Sequence, residues 1–173
     1  MEFYNLNWDK TNTTDATISN DIVVRNNFTI NTAQQINKGN IIVKGNFTTN
    51  DPIVTGSSGI IFSGSVNQTA TFNGNDVPNG MITINNGQTV TFVGTSALNH
   101  SGQDLIVKNG STLKIDVQGL AVNDKLTLEE NAVLELPSVA VITTGQSSIS
   151  DNSTIKYLPV NNATNDVINL NHF

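Results

Sequence analysis

Acids and bases gathered on one face would support general acid–base or glycosidic chemistry, and this chain offers few such groups. Among 173 residues there are 14 Asp and Glu, 8 Lys and Arg and 2 His. The acids are scattered. Glu129 and Glu130 are adjacent, but repeat spacing sets Glu129 opposite Lys108 on the next segment. The basic residues Lys10, Arg25, Lys38, Lys44, Lys108, Lys114, Lys125 and Lys156 form no conspicuous group. His100, with Asp104 four residues on and Ser96 and Ser101 nearby, has the composition of a nucleophilic triad. No nucleophile elbow surrounds it, and a solvated loop histidine accounts for it. Asn73-Gly74-Asn75-Asp76 has the composition of part of a calcium loop, but EF-hand spacing and the glycine-rich nonapeptide are both missing, so a turn accounts for it. Without cysteine, disulfides and thiolate metal sites are excluded. The expectation is a non-enzymatic chain with no catalytic, cofactor-binding or metal-ligating residues.

The elements that would position any site are more legible. Seven segments share one template: an apolar–x–apolar triplet, a polar turn, and a second such triplet. Clear copies are Ile82–Phe92, Leu105–Ile115, Leu126–Leu136 and Ser147–Tyr157; looser ones are Ile22–Ile30, Ile41–Thr49 and Ile60–Phe72. They start at 22, 41, 60, 82, 105, 126 and 147, in steps of 19, 19, 22, 23, 21 and 21. Period-2 alternation repeating at this interval predicts an all-β fold, a single-stranded parallel β-helix or β-solenoid. Seven to eight rungs of 19–23 residues are expected, right-handed by the crossover rule. At about 4.8 Å per rung the rod would be roughly 35–40 Å long.

Residues i and i+2 of a strand share a face, so each triplet pair sends four side chains inward. The first pairs run Ile22/Val24, Ile41/Val43, Ile60/Phe62, Ile82/Ile84, Leu105/Val107, Leu126/Leu128 and Ser147/Ile149. The second pairs align as Phe28/Ile30, Phe47/Thr49, Ala70/Phe72, Val90/Phe92, Leu113/Ile115, Leu134/Leu136 and Ile155/Tyr157. A third apolar site recurs at Ile36, Val54, Val77, Leu98, Val122 and Ile142, which makes the coil three-sided. Turn residues in NNG, KNG, EEN and SDN suit corners that need positive φ. Residues 1–21 miss the template but hold Phe3, Tyr4, Trp8 and Ile18, and read as an N-terminal capping segment. Residues 22–173 read as the solenoid, with Ile168-Asn169-Leu170 in phase as the start of an eighth copy.

Outward positions stack too. One column reads Thr29, Thr48, Thr71, Thr91, Lys114, Glu135, Lys156, ending in alternating charge. Another reads Val23, Ile42, Ile61, Thr83, Ile106, Thr127, Ser148; its aliphatic members offer an exposed apolar stripe or are covered by a loop from the N-terminal segment. Val23, Ile42, Ile61 and Ile106, with Thr29, Thr48, Thr71 and Thr91, are the candidate interaction surface. The eight Asn-x-Ser/Thr sequons, at Asn12, Asn27, Asn46, Asn67, Asn99, Asn109, Asn152 and Asn162, read as template residues rather than glycosylation signals. A net charge of −6 without a basic cluster argues against nucleic acid, and no apolar run is long enough to span a membrane, so no direct insertion is expected.

The phrases NFTINTAQQINKGNIIVKGNFTTN and MITINNGQTVTFVG resemble repeats of exported bacterial surface proteins: autotransporter passengers, filamentous-haemagglutinin-like adhesins and Asn/Gly-rich Bacteroidetes surface proteins. The resemblance covers most of residues 18–170 and is one of repeat style. It implies a secreted, cell-surface rod serving as stalk, adhesin or filament subunit, here as a mature form or segment. The implied partners are a host or cell-surface protein, a glycan, or another copy in end-to-end or lateral association; no cofactor is expected. A glycan-binding or polysaccharide-degrading module is the alternative reading. The Thr-x-Thr pairs Thr69/Thr71 and Thr89/Thr91 also resemble ice-binding solenoids, a lesser alternative because the column breaks at Lys114, Glu135 and Lys156.

Overall fold

The computed structural model describes residues 1–10, 15–33, 35–52, 54–74, 77–94, 98–100, 104–116, 119–137 and 141–158. The first turn consists of β1 (Glu2–Phe3), β2 (Leu6–Asp9) and β3 (Ala16–Thr17), and the next of β4 (Ile22–Val24), β5 (Phe28–Thr32) and β6 (Ile36–Asn37). β7 (Asn40–Val43) and β8 (Phe47–Thr49) follow, then β9 (Gly59–Phe62) and β10 (Gln68–Phe72). β11 (Ile82–Ile84), β12 (Thr89–Gly94) and β13 (Leu98–His100) form another turn, followed by β14 (Leu105–Val107) and β15 (Thr112–Asp116). β16 (Gly119–Leu128) runs through a corner into the next turn, β17 (Val133–Pro137) follows, β18 (Val141–Ile149) turns the corner again, and β19 (Thr154–Leu158) completes the described coil.

All the pairings are parallel and connect consecutive turns. The first face stacks β1, β4, β7, β9, β11, β14, β16 and β18; the second stacks β2, β5, β8, β10, β12, β15, β17 and β19. The third face is intermittent. It pairs β3 with β6, bridges Gln35 to Thr55, and joins β13 to the first half of β16 and that to the first half of β18. Eight strands stack on each of the two main faces, while pairing on the third face is seen at only some turns among the described residues. Ile168–Leu170 lies outside the described residues.

The predicted inner columns form the core. Ile41, Val43, Phe47, Ile84, Val90, Leu105, Val107, Leu113 and Leu134 are all fully buried, as are Ile36, Val54, Val77 and Val122 on the third side. Phe47 meets Phe28, Phe62 and Phe72 at ring-centroid distances of 5.5, 6.2 and 6.0 Å, and Phe92 meets Phe72 at 5.0 Å. β1, β2 and β3, within the segment that departs from the template, form a turn of the coil, with Phe3, Leu6 and Trp8 paired to Val24, Phe28 and Ile30. Gly87, Gly110 and Asn131 take φ values of 63°, 70° and 56° at equivalent corners, as the turn chemistry predicts.

One alignment is corrected. Ala70 pairs with Phe47 below and with Phe92 above, not with Val90. The template places Ala70 beside Val90, so pairing has slipped by two residues. Between paired positions, the first corner spans four residues from Val43 to Phe47 but eight from Phe62 to Ala70. The coil thus widens at the fourth turn and stays wide, since Ile84 to Phe92 is again eight. The added inward column is Gln68, Val90, Leu113, Leu134 and Ile155. Gln68 stands on the ledge, only 2% exposed. Its Nε2 donates to the Val43 carbonyl at 3.1 Å and to the Gly45 carbonyl, and its Oε1 accepts from the Gly64 N–H at 2.8 Å. The narrow corner below leaves backbone groups without an overlying corner, and Gln68 satisfies them. Narrow turns also pack their corners tightly. A Cβ on Gly45 would lie 2.3 Å from the Asn26 carbonyl oxygen, so only glycine fits there.

Candidate functional site

The charged groups are used between turns. Lys108 Nζ meets Glu129 Oε1 at 2.5 Å, and Glu129 Oε2 accepts the Asn109 N–H at 3.2 Å. The Lys108 hydrogen bond, assisted by the Asn109 N–H and the lysine charge, holds the Glu129 carboxyl below its ordinary value against a smaller opposing effect of burial. A depressed carboxylate contributes stability above its unfolded pKa and loses it as pH falls through the folded one. The stabilisation should therefore be complete at pH 7 and fade below about 4.5, the ordinary value. Both side chains are about one-third exposed, so its size is limited to about 1 kcal/mol. Lys108→Met should lower the thermal midpoint slightly at pH 7 and leave it nearly unchanged relative to wild type at pH 3; equal gaps at both pH values would contradict this assignment.

Of the predicted Lys114–Glu135–Lys156 ladder, Glu135 and Lys156 pair at 3.2 Å. Lys114 lies opposite Glu135 in register but forms no ion pair among the described residues. A further pair, Arg25 to Glu2 through hydrogen bonds of 2.6 and 2.9 Å, joins two turns that the template could not align. Glu130 accepts from Asn152 at 3.2 Å. No group of three potential metal ligands occurs among the described residues. Ser96, Ser101 and the His100 side chain lie outside them, while the Asp104 carbonyl accepts the Ile82 N–H at 3.0 Å. Asn75 and Asp76 of the Asn73–Asp76 turn also lie outside the described residues, and Asn73 serves another purpose.

Asn73 Nδ2 donates to Asn50 Oδ1 at 2.9 Å, and Asn50 Nδ2 donates to Asn31 Oδ1 at 3.0 Å, which makes an asparagine ladder along the second face. A second series lies at the corner. Asn5, Asn27, Asn46 and Asn67 each accept the backbone N–H of the next turn, from Asn27, Asn46, Thr69 and Thr89, at 2.9–3.2 Å. Asn27, Asn46 and Asn67 are sequon residues, and this explains their recurrence: each side-chain oxygen satisfies a backbone donor that the corner leaves unpaired. Recurrence ahead of the second triplet was the available signal. The ladder role needed the register.

The candidate surface residues fall on two faces. Val23, Ile42, Ile61, Thr83, Ile106, Thr127 and Ser148 stack in register on the first face as predicted. Its aliphatic members are half-buried rather than freely exposed, and Thr83 is only 5% exposed. On the second face the expected single column divides at the register slip. Thr29, Thr48 and Thr71 continue to Val93, whereas Thr69 and Thr91 continue to Lys114. Thr89 and Thr112 begin a third column. The result is a stepped threonine array in two dimensions, flanked by Lys114 beside Thr112 on one side and by Asp9 on the first turn at the other. At the first turn an open cleft of about 270 Å³, lined by Met1, Trp8, Thr17, Ile18 and Ile22, continues the apolar core to the end of the coil.

Comparisons with protein-family models, with curated proteins and with solved structures find no match. Geometry alone therefore places the class: the chain is a three-sided parallel β-solenoid.

Proposed function

We propose that this solenoid is a stiff, non-enzymatic segment of a secreted bacterial surface protein, a stalk or adhesin that carries its outer faces away from the cell. The observation that carries the reading is the continuity of the two main faces, stacked from β1 to β18 and from β2 to β19 without a break. Each turn is bound to its neighbours by backbone hydrogen bonds and an apolar column, and the turns from Asn5 to Thr89 also by asparagine ladders, so bending would break several kinds of contact together. The bacterial, secreted and surface aspects rest on the resemblance of repeat style. Contact with a host or surface protein, a glycan or another copy would use the first-face stripe or the second-face threonines.

The test pulls the chain between its ends in a single-molecule force experiment. A stalk should hold as a rod and then yield in steps of roughly one turn, since solenoid repeats contact only their neighbours. Smooth extension like that of an unfolded chain, without steps, would remove the basis for a mechanical role. Beads coated with the protein and presented to a panel of matrix proteins and glycans separate the two forms of the reading. Capture favours an adhesin, and no capture with intact stepwise resistance favours a stalk.

A further inference from the structure

We propose that the neutral half of the second face is an ice-binding plane, its threonine hydroxyls held by strand pairing in a grid that engages the ordered water of an ice surface. This goes beyond the stalk reading and stands on different observations. Register places Thr69 beside Thr71 and Thr89 beside Thr91 on adjacent turns, with Thr29 and Thr48 continuing one column. Neighbours are separated by about 4.8 Å between turns and about 6.7 Å along a strand. Parallel pairing keeps the columns straight, and β-branching limits each side chain to few rotamers.

The hydroxyls are free. None of the threonines in the grid spends its Oγ1 on another described residue, although each is half-exposed. Asn31, Asn50 and Asn73 alongside do the opposite, and bond to one another. A hydroxyl in liquid water gains almost nothing from exchanging one water for another, so single threonines attract no dissolved partner. What a rigid grid offers is the fixed spacing, and a partner that repeats in two dimensions can meet many hydroxyls at once. Neutrality narrows the choice. The threonines from Thr29 through Thr91 carry no charged outward neighbour on their own strands; charge flanks them, with Asp9 on the turn below and Lys114, Asp116 and Glu135 on the turns above. A neutral water lattice complements that surface, whereas a charged partner gains nothing from it.

The experiment freezes a dilute solution slowly onto an ice seed and measures how much protein enters the ice, with ice recrystallisation followed separately. Wild type should enter the ice and suppress grain growth. The double variant Thr71→Lys/Thr91→Lys should lose both effects with an unchanged circular dichroism spectrum; Thr48→Lys, in the column of Thr71, gives a second reading should the double variant not fold. Ser148→Lys, on the first face, should retain both. Exclusion of wild type from ice overturns the proposal, as does full activity in folded grid variants or equal loss in Ser148→Lys. Failure here would leave the stepwise mechanical resistance untouched, so the two readings fail separately.

Discussion

Phe47→Ala should lower the unfolding free energy by about 3–5 kcal/mol, the range for removing a large aromatic from a packed core. Phe47 is fully buried and meets three other rings, two on the second face and one on the first. The cavity cannot readily close, because backbone pairing fixes the rise between the turns above and below. The effect should also be local. Contacts in a solenoid are to adjacent turns, so a weakened turn uncouples its neighbours. Trp8, the one tryptophan of the chain, sits in the first turn and reports on that end. In urea its fluorescence midpoint should fall well below the midpoint of amide exchange in β15 and β17. Coincident midpoints, shifted together, would mean that the coil unfolds as a single unit.

Gln68→Leu is the second large effect, and the less intuitive one. Leucine is apolar, similar in size, and already present in the same column at Leu113 and Leu134. Pattern alone would favour it. At position 68 it would strand the Gly64 N–H and the Gly45 carbonyl, both held by the glutamine amide. The Val43 carbonyl would keep the Ser63 N–H at 3.0 Å. One buried and one part-buried group left unpaired cost together about 2–4 kcal/mol, offset in part by leucine burial, for a net loss of about 1–3 kcal/mol. Leu113→Gln should also destabilise, because the wide turn beneath it presents no comparable ledge. Should chemical denaturation find Gln68→Leu neutral or stabilising, the ledge has been misread.

The glutamine shows what the sequence could and could not convey. Strand positions, inward faces and the corners at Gly87, Gly110 and Asn131 were legible because each follows from local alternation or from the turn's need for positive φ. The register slip was not. A shift of two residues keeps every side chain on its own face, so the hydrophobic pattern is the same before and after it. Only the pairing of Ala70 with Phe92 reveals the widening, and with it the reason for a buried amide among aliphatics. The same blindness merged two threonine columns into one and hid the grid. Residues 1–21 were opaque for a related reason. Their corner from Phe3 to Leu6 is shorter still, so no fixed-length template aligns them, although Phe3, Leu6 and Trp8 continue the inner columns. The asparagine ladders lay between these cases: the recurrence was visible, but its cause is a rung-to-rung bond that one strand cannot display.

The widening can be tested by cross-linking, since the chain has no cysteine of its own. Thr71 and Val93 are partners in register on the second face, whereas Thr71 and Thr91 are the partners that the repeat template implies. In-register outward Cα atoms on adjacent turns lie about 4.8 Å apart, within disulfide range, and the diagonal pair lies about 8 Å apart, outside it. Mild oxidation of Thr71→Cys/Val93→Cys should yield an intramolecular disulfide quickly and almost completely, and Thr71→Cys/Thr91→Cys should form little. The reverse result would restore the unbroken template, remove the ledge beneath Gln68 and collapse the threonine grid into a single column.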